Sequence, residues 1–409
     1  MKPYQRLLFV LCLCCGVAAA GLATATVTDP SGAPVPTRVD NDANTRKGYE
    51  HFYNLEYDKA IHEFELAQAA HPNDPFAVNH LLAAVVFREL YRIGALDTEA
   101  YATDTFVDKK LAQPLDPATR DRVKQLTDQA LSLSQAQLDK NPNDINALYA
   151  RGATRAMNAT YIGVANKAWF AALRGAVAAR HDEERVLELD PKYVDAKLAV
   201  GTHLYIVGSL SWPVKVAASV AGLSGNKQKG LDYLRQATGS PHIEVATDAK
   251  IILALFLRRE QRYAEALQVV NGMQNEFPRN FLMGAEYANL LNAAGHGQEA
   301  IAAYRKVVAN CRNNVYSGCR MDIAAFGLGE SSRGQREYEQ AAEAYELAAE
   351  SAKDPEFRQK ATLAAGEMYD VMKKRDTALE KYKAVIAANS TSNSADLARH
   401  YIKQAYRTP

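Results

Sequence analysis

Cysteine is scarce: the 409-residue chain has five, and three of them lie within the first fifteen residues. That excludes a disulfide-built scaffold. Charge of one sign is also lacking, with 48 basic residues against 47 acidic ones. No half of the chain is strongly basic, so a nucleic-acid partner is not expected, because such binding needs a cationic footprint. There is no HExxH, no GxSxG, no glycine-rich phosphate loop ending in lysine, and no CxxC beyond the first fifteen residues. No spacing of serine, histidine and aspartate selects a triad. His181 and Glu184 stand one helical turn apart, but the run Arg180-His181-Asp182-Glu183-Glu184-Arg185 reads as a solvated, salt-bridging surface and not as a metal site. Neither catalysis, nor a cofactor, nor a bound metal is expected.

What is present begins with an export signal. Lys2 and Arg6 precede an apolar run from Leu7 to Leu22, and small residues put cleavage near Ala20 or Ala25. An uncleaved anchor and a lipoprotein signal are the alternatives. The residues before Cys12, Cys14 and Cys15 do not form the small-residue box that a lipoprotein needs. The expectation is release into a periplasm or out of the cell. Without Lys2 and Arg6 the charge balance is 46 to 47, and the remaining thiols are Cys311 and Cys319. These flank RNNVYSG, and in an oxidising compartment they can close a small loop. Residues 26–42 hold three prolines and little to bury, so they read as a flexible linker after the signal at 1–25.

From residue 43 onward one pattern recurs. Asn41 to Asp74 places Gly48, Tyr57, Ala60, Phe64, Ala67 and Pro72 at the offsets of two antiparallel helices. Small residues sit at the close contact, rings fill the space between the helices, and a proline stops the second one. A second unit pairs Pro75–Tyr91 with Pro117–Lys140. A third opens at Asp144 with Gly152 and ends at Asp190-Pro191, and a fourth runs from Val194 with Gly201 to Ala237. Tyr263, Ala266 and Pro278 mark the fifth; Ala288, Ala300 and Tyr304 the sixth. Gly329, Tyr338, Ala341, Tyr345 and Ala348 mark the seventh; Gly366, Tyr369, Ala378 and Tyr382 the eighth. A last helix, Ala395–Tyr406, reads as a polar cap.

These offsets resemble the tetratricopeptide-repeat (TPR) family over about residues 41–409. The resemblance implies an all-α, right-handed helical solenoid of about eight helix-turn-helix units with a C-terminal capping helix, spanning 43–409. Within units three and four, SLSWPVKVAASVAGLSGNKQKGLDYL also resembles a eukaryotic tetratricopeptide family that includes the yeast inclusion-body clearance protein. Three insertions, near 94–116, 159–170 and 208–229, fall between the first and second helices of units two, three and four. They hold Tyr101, Phe106, Tyr161, Trp169, Phe170 and Trp212, and Tyr205 stands just before the third. Equivalent joints line up along one edge of a stacked array, so these aromatics are the candidate binding residues. Burial of each ring in its own unit is the competing expectation. Leu204–Leu223 has about the length of a bilayer span, but Pro213 and Lys215 interrupt it, so at most peripheral membrane contact is expected.

The resemblance implies an exported scaffold that binds a protein or peptide, on the wall of first helices and along the insertion edge, with no chemistry of its own. The alternative is a periplasmic binding protein for a small apolar or lipid-like solute, working beside a transporter. A closed pocket of Trp169, Trp212 and Tyr205 would mark the alternative, and an open groove would mark the scaffold.

Overall fold

The computed structural model describes residues 42–96, 113–212, 215 and 223–408. The expected signal peptide, nearly all of the linker, Tyr101, Phe106 and most of the third insertion lie outside these residues. Among the described residues there are seventeen helices and no strand. They form two compact bodies that divide after Glu260.

The first body pairs α1 (Ala43–Tyr53) with α2 (Tyr57–Ala70), α3 (Pro75–Arg92) with α4 (Pro117–Leu138), α5 (Ile145–Val164) with α6 (Trp169–Leu189), and α7 (Ala196–Gly208) with α8 (Lys227–Ala237). It ends in α9 (Ile243–Arg259). The second body opens with α10 (Tyr263–Glu276). It then pairs α11 (Phe281–Ala293) with α12 (Gly297–Arg312), α13 (Met321–Gly334) with α14 (Tyr338–Ser351), and α15 (Pro355–Val371) with α16 (Arg375–Ala388). α17 (Asn393–Lys403) closes it. Each body is a stretch of all-α, tetratricopeptide-type solenoid.

The first helices α1, α3, α5, α11 and α15 begin on a capping side chain, as do the second helices α4 and α8, whereas α7, α9 and α13 have none. Asp42 accepts from the backbone N–H of Asn44 at 2.7 Å and Thr45 at 3.0 Å, Asp144 from Ala147, and Asn280 from Met283. Asp74-Pro75 and Asp354-Pro355 add a proline at the first helical position, where no donor is lost. Second helices carry no such cap on α2, α10, α12, α14 and α16. Each of these five starts two residues after a left-handed residue: Leu55, Gln261, Gly295, Arg336 or Lys373, with φ between 58° and 84°. In four of them the next N–H reaches back over five residues, Glu56 to the carbonyl of His51, His296 to Leu291, Glu337 to Ser332 and Lys374 to Tyr369. This is the Schellman closure, which ends the first helix and aims the chain into the second.

Within a hairpin the close contact is a glycine under a ring sixteen residues later. A Cβ on Gly48 would come within 2.4 Å of Phe64, one on Gly329 within 2.6 Å of Tyr345, and one on Gly366 within 2.7 Å of Tyr382. The tyrosines also reach a polar partner with their tips: Tyr345 donates to Glu330 at 2.6 Å and Tyr382 to Asp370 at 2.9 Å.

Two features depart from the sequence expectation. Residues 159–170 are mostly helix: α5 continues to Val164 and α6 begins at Trp169, so Ala165–Ala168 alone form the joint. The run Ala159-Thr160-Tyr161 continues the buried face of α5, and Thr160 returns its hydroxyl to the carbonyl of Ala156, which suits a helix interior. The extra residues lengthen both helices. The second departure is α3, whose residues from Pro75 to Val86 are all buried. A helix apolar on every side belongs inside a core, so in the first body this helix contributes no open wall.

Candidate functional site

The insertion-edge aromatics separate by burial. Tyr161 and Tyr205 are each 1% exposed. Tyr205 lies flat on Phe256, ring centroids 3.8 Å apart, and donates to Glu260 at 2.8 Å. Burial, with Glu89 nearby, pushes the Tyr161 hydroxyl up to about 12. Burial likewise raises Tyr205, with the Glu260 hydrogen bond adding to it. Both rings are core and present no free face. Phe170, at the start of α6, is 68% exposed, and Trp212, just past α7, is 77% exposed. Phe170 stands in the first turn of α6 and Trp212 follows α7, in consecutive hairpins.

The second body offers a different surface. Arg333 near the end of α13 lies 3.4 Å from Glu367 on α15. Asp370, one turn further along α15, accepts from Arg375 at 2.8 and 2.9 Å and from the Tyr382 hydroxyl at 2.9 Å. Burial pushes Glu367 up to about 7, with Arg333 acting in the opposite sense and Glu330 adding to the rise. Arg375 also donates to the carbonyls of Tyr401 and Ile402, both at 2.8 Å, and so satisfies the end of α17. After Lys403 the chain leaves the helix: Gln404 is extended, with φ −137° and ψ 113°. The segment returns over α15, where the backbone N–H of Tyr406 donates to Asp370 at 2.8 Å and its hydroxyl accepts from Arg333 at 2.7 Å. Its ring packs on Tyr401, centroids 5.2 Å apart, and on the Ala364, Ala365 and Met368 cluster. Nothing in the sequence pattern marks this fold-back, because Tyr406 and Arg333 are 73 residues apart.

Cys311 at the end of α12 and Cys319 before α13 are joined in a disulfide, with Cα atoms 5.7 Å apart. An open cleft of about 470 Å³ lies between α12 and α14, with Arg305, Arg312, Leu328 and Glu343 among its walls.

Asp195 binds both Ser240, at 2.7 Å, and the His242 imidazole. The serine hydroxyl donates to the aspartate and not to the imidazole, which is not the arrangement of a serine activated by histidine, and the three side chains tie the α8–α9 turn to the start of α7. No group of three metal-ligating side chains occurs among the described residues. No helix among them is long and apolar enough to cross a membrane.

No family model matches the chain, and no curated protein matches it. Solved structures do. A tetratricopeptide repeat protein from Parabacteroides merdae is 14% identical, with 79% of this chain and 97% of that one covered at a TM-score of 0.32. Human IFIT1, solved as a dimer with PPP-AAAA, is 13% identical, with 88% and 80% covered at 0.38. The same protein with m7Gppp-AAAA covers 98% and 87% at 0.40 and 13% identity. At these identities the likeness is one of helical-repeat architecture alone. The hairpins themselves, with their glycine–ring contacts and Schellman turns, have the tetratricopeptide-type fold.

Proposed function

We propose that this chain is an exported scaffold of the cell envelope that binds a protein or peptide and carries out no reaction of its own. The observation that carries the proposal is the exposure of Phe170 and Trp212. These two are the exposed aromatic side chains among the described residues, and they flank the first-to-second-helix joints of consecutive units, Phe170 in the first turn of α6 and Trp212 after α7. Aromatic rings held by a helix end lose little freedom on binding and bury a large area, which suits them as anchors. Export is supported by the Lys2, Arg6 and Leu7–Leu22 pattern and by the Cys311–Cys319 disulfide, which suits an oxidising compartment. The small-solute alternative finds no support in Tyr161 or Tyr205, whose rings are committed to the core.

The test is covalent capture in the native envelope, comparing the mature chain with a Phe170→Ala, Trp212→Ala double variant. A specific protein recovered with the wild type and lost with the variant is the expected result. Recovery of the same proteins by both forms would remove the insertion edge from the function. Recovery of none by either form would sink the scaffold reading.

A further inference from the structure

We propose that the α13–α15 face of the second body is a receptor for an extended segment bearing an unmodified tyrosine, and that the chain's own C-terminal segment occupies it as a displaceable internal ligand. The proposal rests on the scaffold reading and specifies its second contact surface.

Three observations carry it. First, the segment is extended chain with one anchor. Gln404, Ala405, Arg407 and Thr408 are exposed, and Tyr406 alone is half-buried. Second, that anchor is read at two points, by Arg333 at its hydroxyl and by Asp370 at its backbone N–H. Any extended peptide has the backbone donor; the phenol selects tyrosine. Third, the receptor stands without the segment. Asp370 keeps Arg375 and Tyr382, Arg333 keeps Glu367, and α17 is closed by Arg375 and packed by Ala398 and Tyr401 against Leu363, Ala378 and Tyr382. Removing Tyr406 leaves neither charge without a partner, so the site is pre-organised and can exchange one occupant for another.

The charge around the phenol defines the occupant further. Glu330 and Glu367 both act on Tyr406 electrostatically, beside the cation Arg333. A phosphate or sulfate on the tyrosine would meet these carboxylates, so the fitting group is the free hydroxyl. The tethered segment competes at a local concentration of about millimolar, so a free peptide must displace it.

The experiment uses a fluorescent peptide with the sequence of Gln404–Pro409, titrated by anisotropy against the full mature chain, a chain ending at Lys403, and full-length Tyr406→Ala. Both altered chains are expected to bind the probe about tenfold more tightly than the wild type, or better, as the competing occupant is removed. Arg333→Gln in the Tyr406→Ala background should abolish binding, and a probe with alanine in place of tyrosine should not bind. Equal affinity for the wild type and both altered chains would overturn the internal-ligand assignment. Absence of binding by a folded Tyr406→Ala chain, or binding indifferent to Arg333→Gln, would overturn the receptor. Tighter binding of a phosphorylated or sulfated probe would overturn the free-phenol specificity. If the chain ending at Lys403 does not fold, the Tyr406→Ala titration decides alone. Absence of any envelope capture by the wild type sinks the scaffold reading, whereas a failed titration with wild-type capture intact sinks this inference only.

Discussion

The hydroxyl of Tyr53, the last residue of α1, donates to Asp248 on α9 at 2.8 Å across 195 residues of chain. It also lies 3.2 Å from the carbonyl of Glu244. The first and last helices of the first body are thus joined through one phenol.

Burial holds the Asp248 carboxyl well above the usual carboxylate range. In the folded state it therefore keeps a proton that the unfolded chain releases near pH 4. The folded state binds more protons, so first-body stability falls as pH rises above that value. Asp248→Asn is expected to flatten this slope while still accepting from Tyr53, and Tyr53→Phe to cost about 1–2 kcal/mol. Urea unfolding between pH 5 and 8 measures both; a pH slope unchanged in Asp248→Asn would refute the assignment.

Glu367 gives a second, independent slope in the other body. Its carboxyl titrates at about 7, raised chiefly by burial. An ordinary glutamate titrates near 4.3, so between these values the second body should lose stability as pH rises, with close to one proton linked to unfolding. In Glu367→Gln that linkage should disappear from denaturant curves taken across the same interval.

The glycine–ring contact sets the spacing inside a hairpin. Gly329→Ala would drive a methyl group into the Tyr345 ring, whose tip is tied to Glu330. The expected loss is about 1–3 kcal/mol, as for other over-packed sites. Gly334→Ala is the control, because a Cβ there meets nothing within 4 Å. Equal melting temperatures for the two variants would show that the contact does not set the spacing.

Arg336 and Lys373 are exposed and left-handed, at φ 63° and 61°. Replacing either by glycine relieves about 1–2 kcal/mol of backbone strain. It returns part of this, about 0.4–1 kcal/mol, as unfolded-state entropy. A net rise of roughly 0.5 kcal/mol is expected in denaturant unfolding, and a fall would show that these turns are unstrained.

Reduction of Cys311–Cys319 opens a loop closed over a sequence separation of 8. The loop-entropy model gives up to about 2–3 kcal/mol for that closure. A lower melting temperature in reductant, absent from the double Cys→Ser variant, is the expected pattern.

The hairpins were legible because their determinants are local. Gly48 with Phe64, Gly329 with Tyr345, and the Asp-Pro helix starts all lie within one unit and repeat. The turns were harder to read, since Leu55, Arg336 and Lys373 hold the left-handed position where glycine would announce it. The aromatic candidates divided in a way that residue type does not encode. Tyr161 and Phe170 are nine residues apart but on two different helices, and the packing of α5 against α6 leaves one in the core and the other in solvent. Tyr53–Asp248 and Arg333–Tyr406 arise only when hairpins are stacked, so no window of the sequence contains them.

The enclosure of α3 has an evolutionary consequence. Repeat arrays ordinarily grow and shrink by whole units, because each unit touches only its neighbours. A unit whose inner helix is enclosed on every side from Pro75 to Val86 cannot be duplicated or deleted as a module without opening that core.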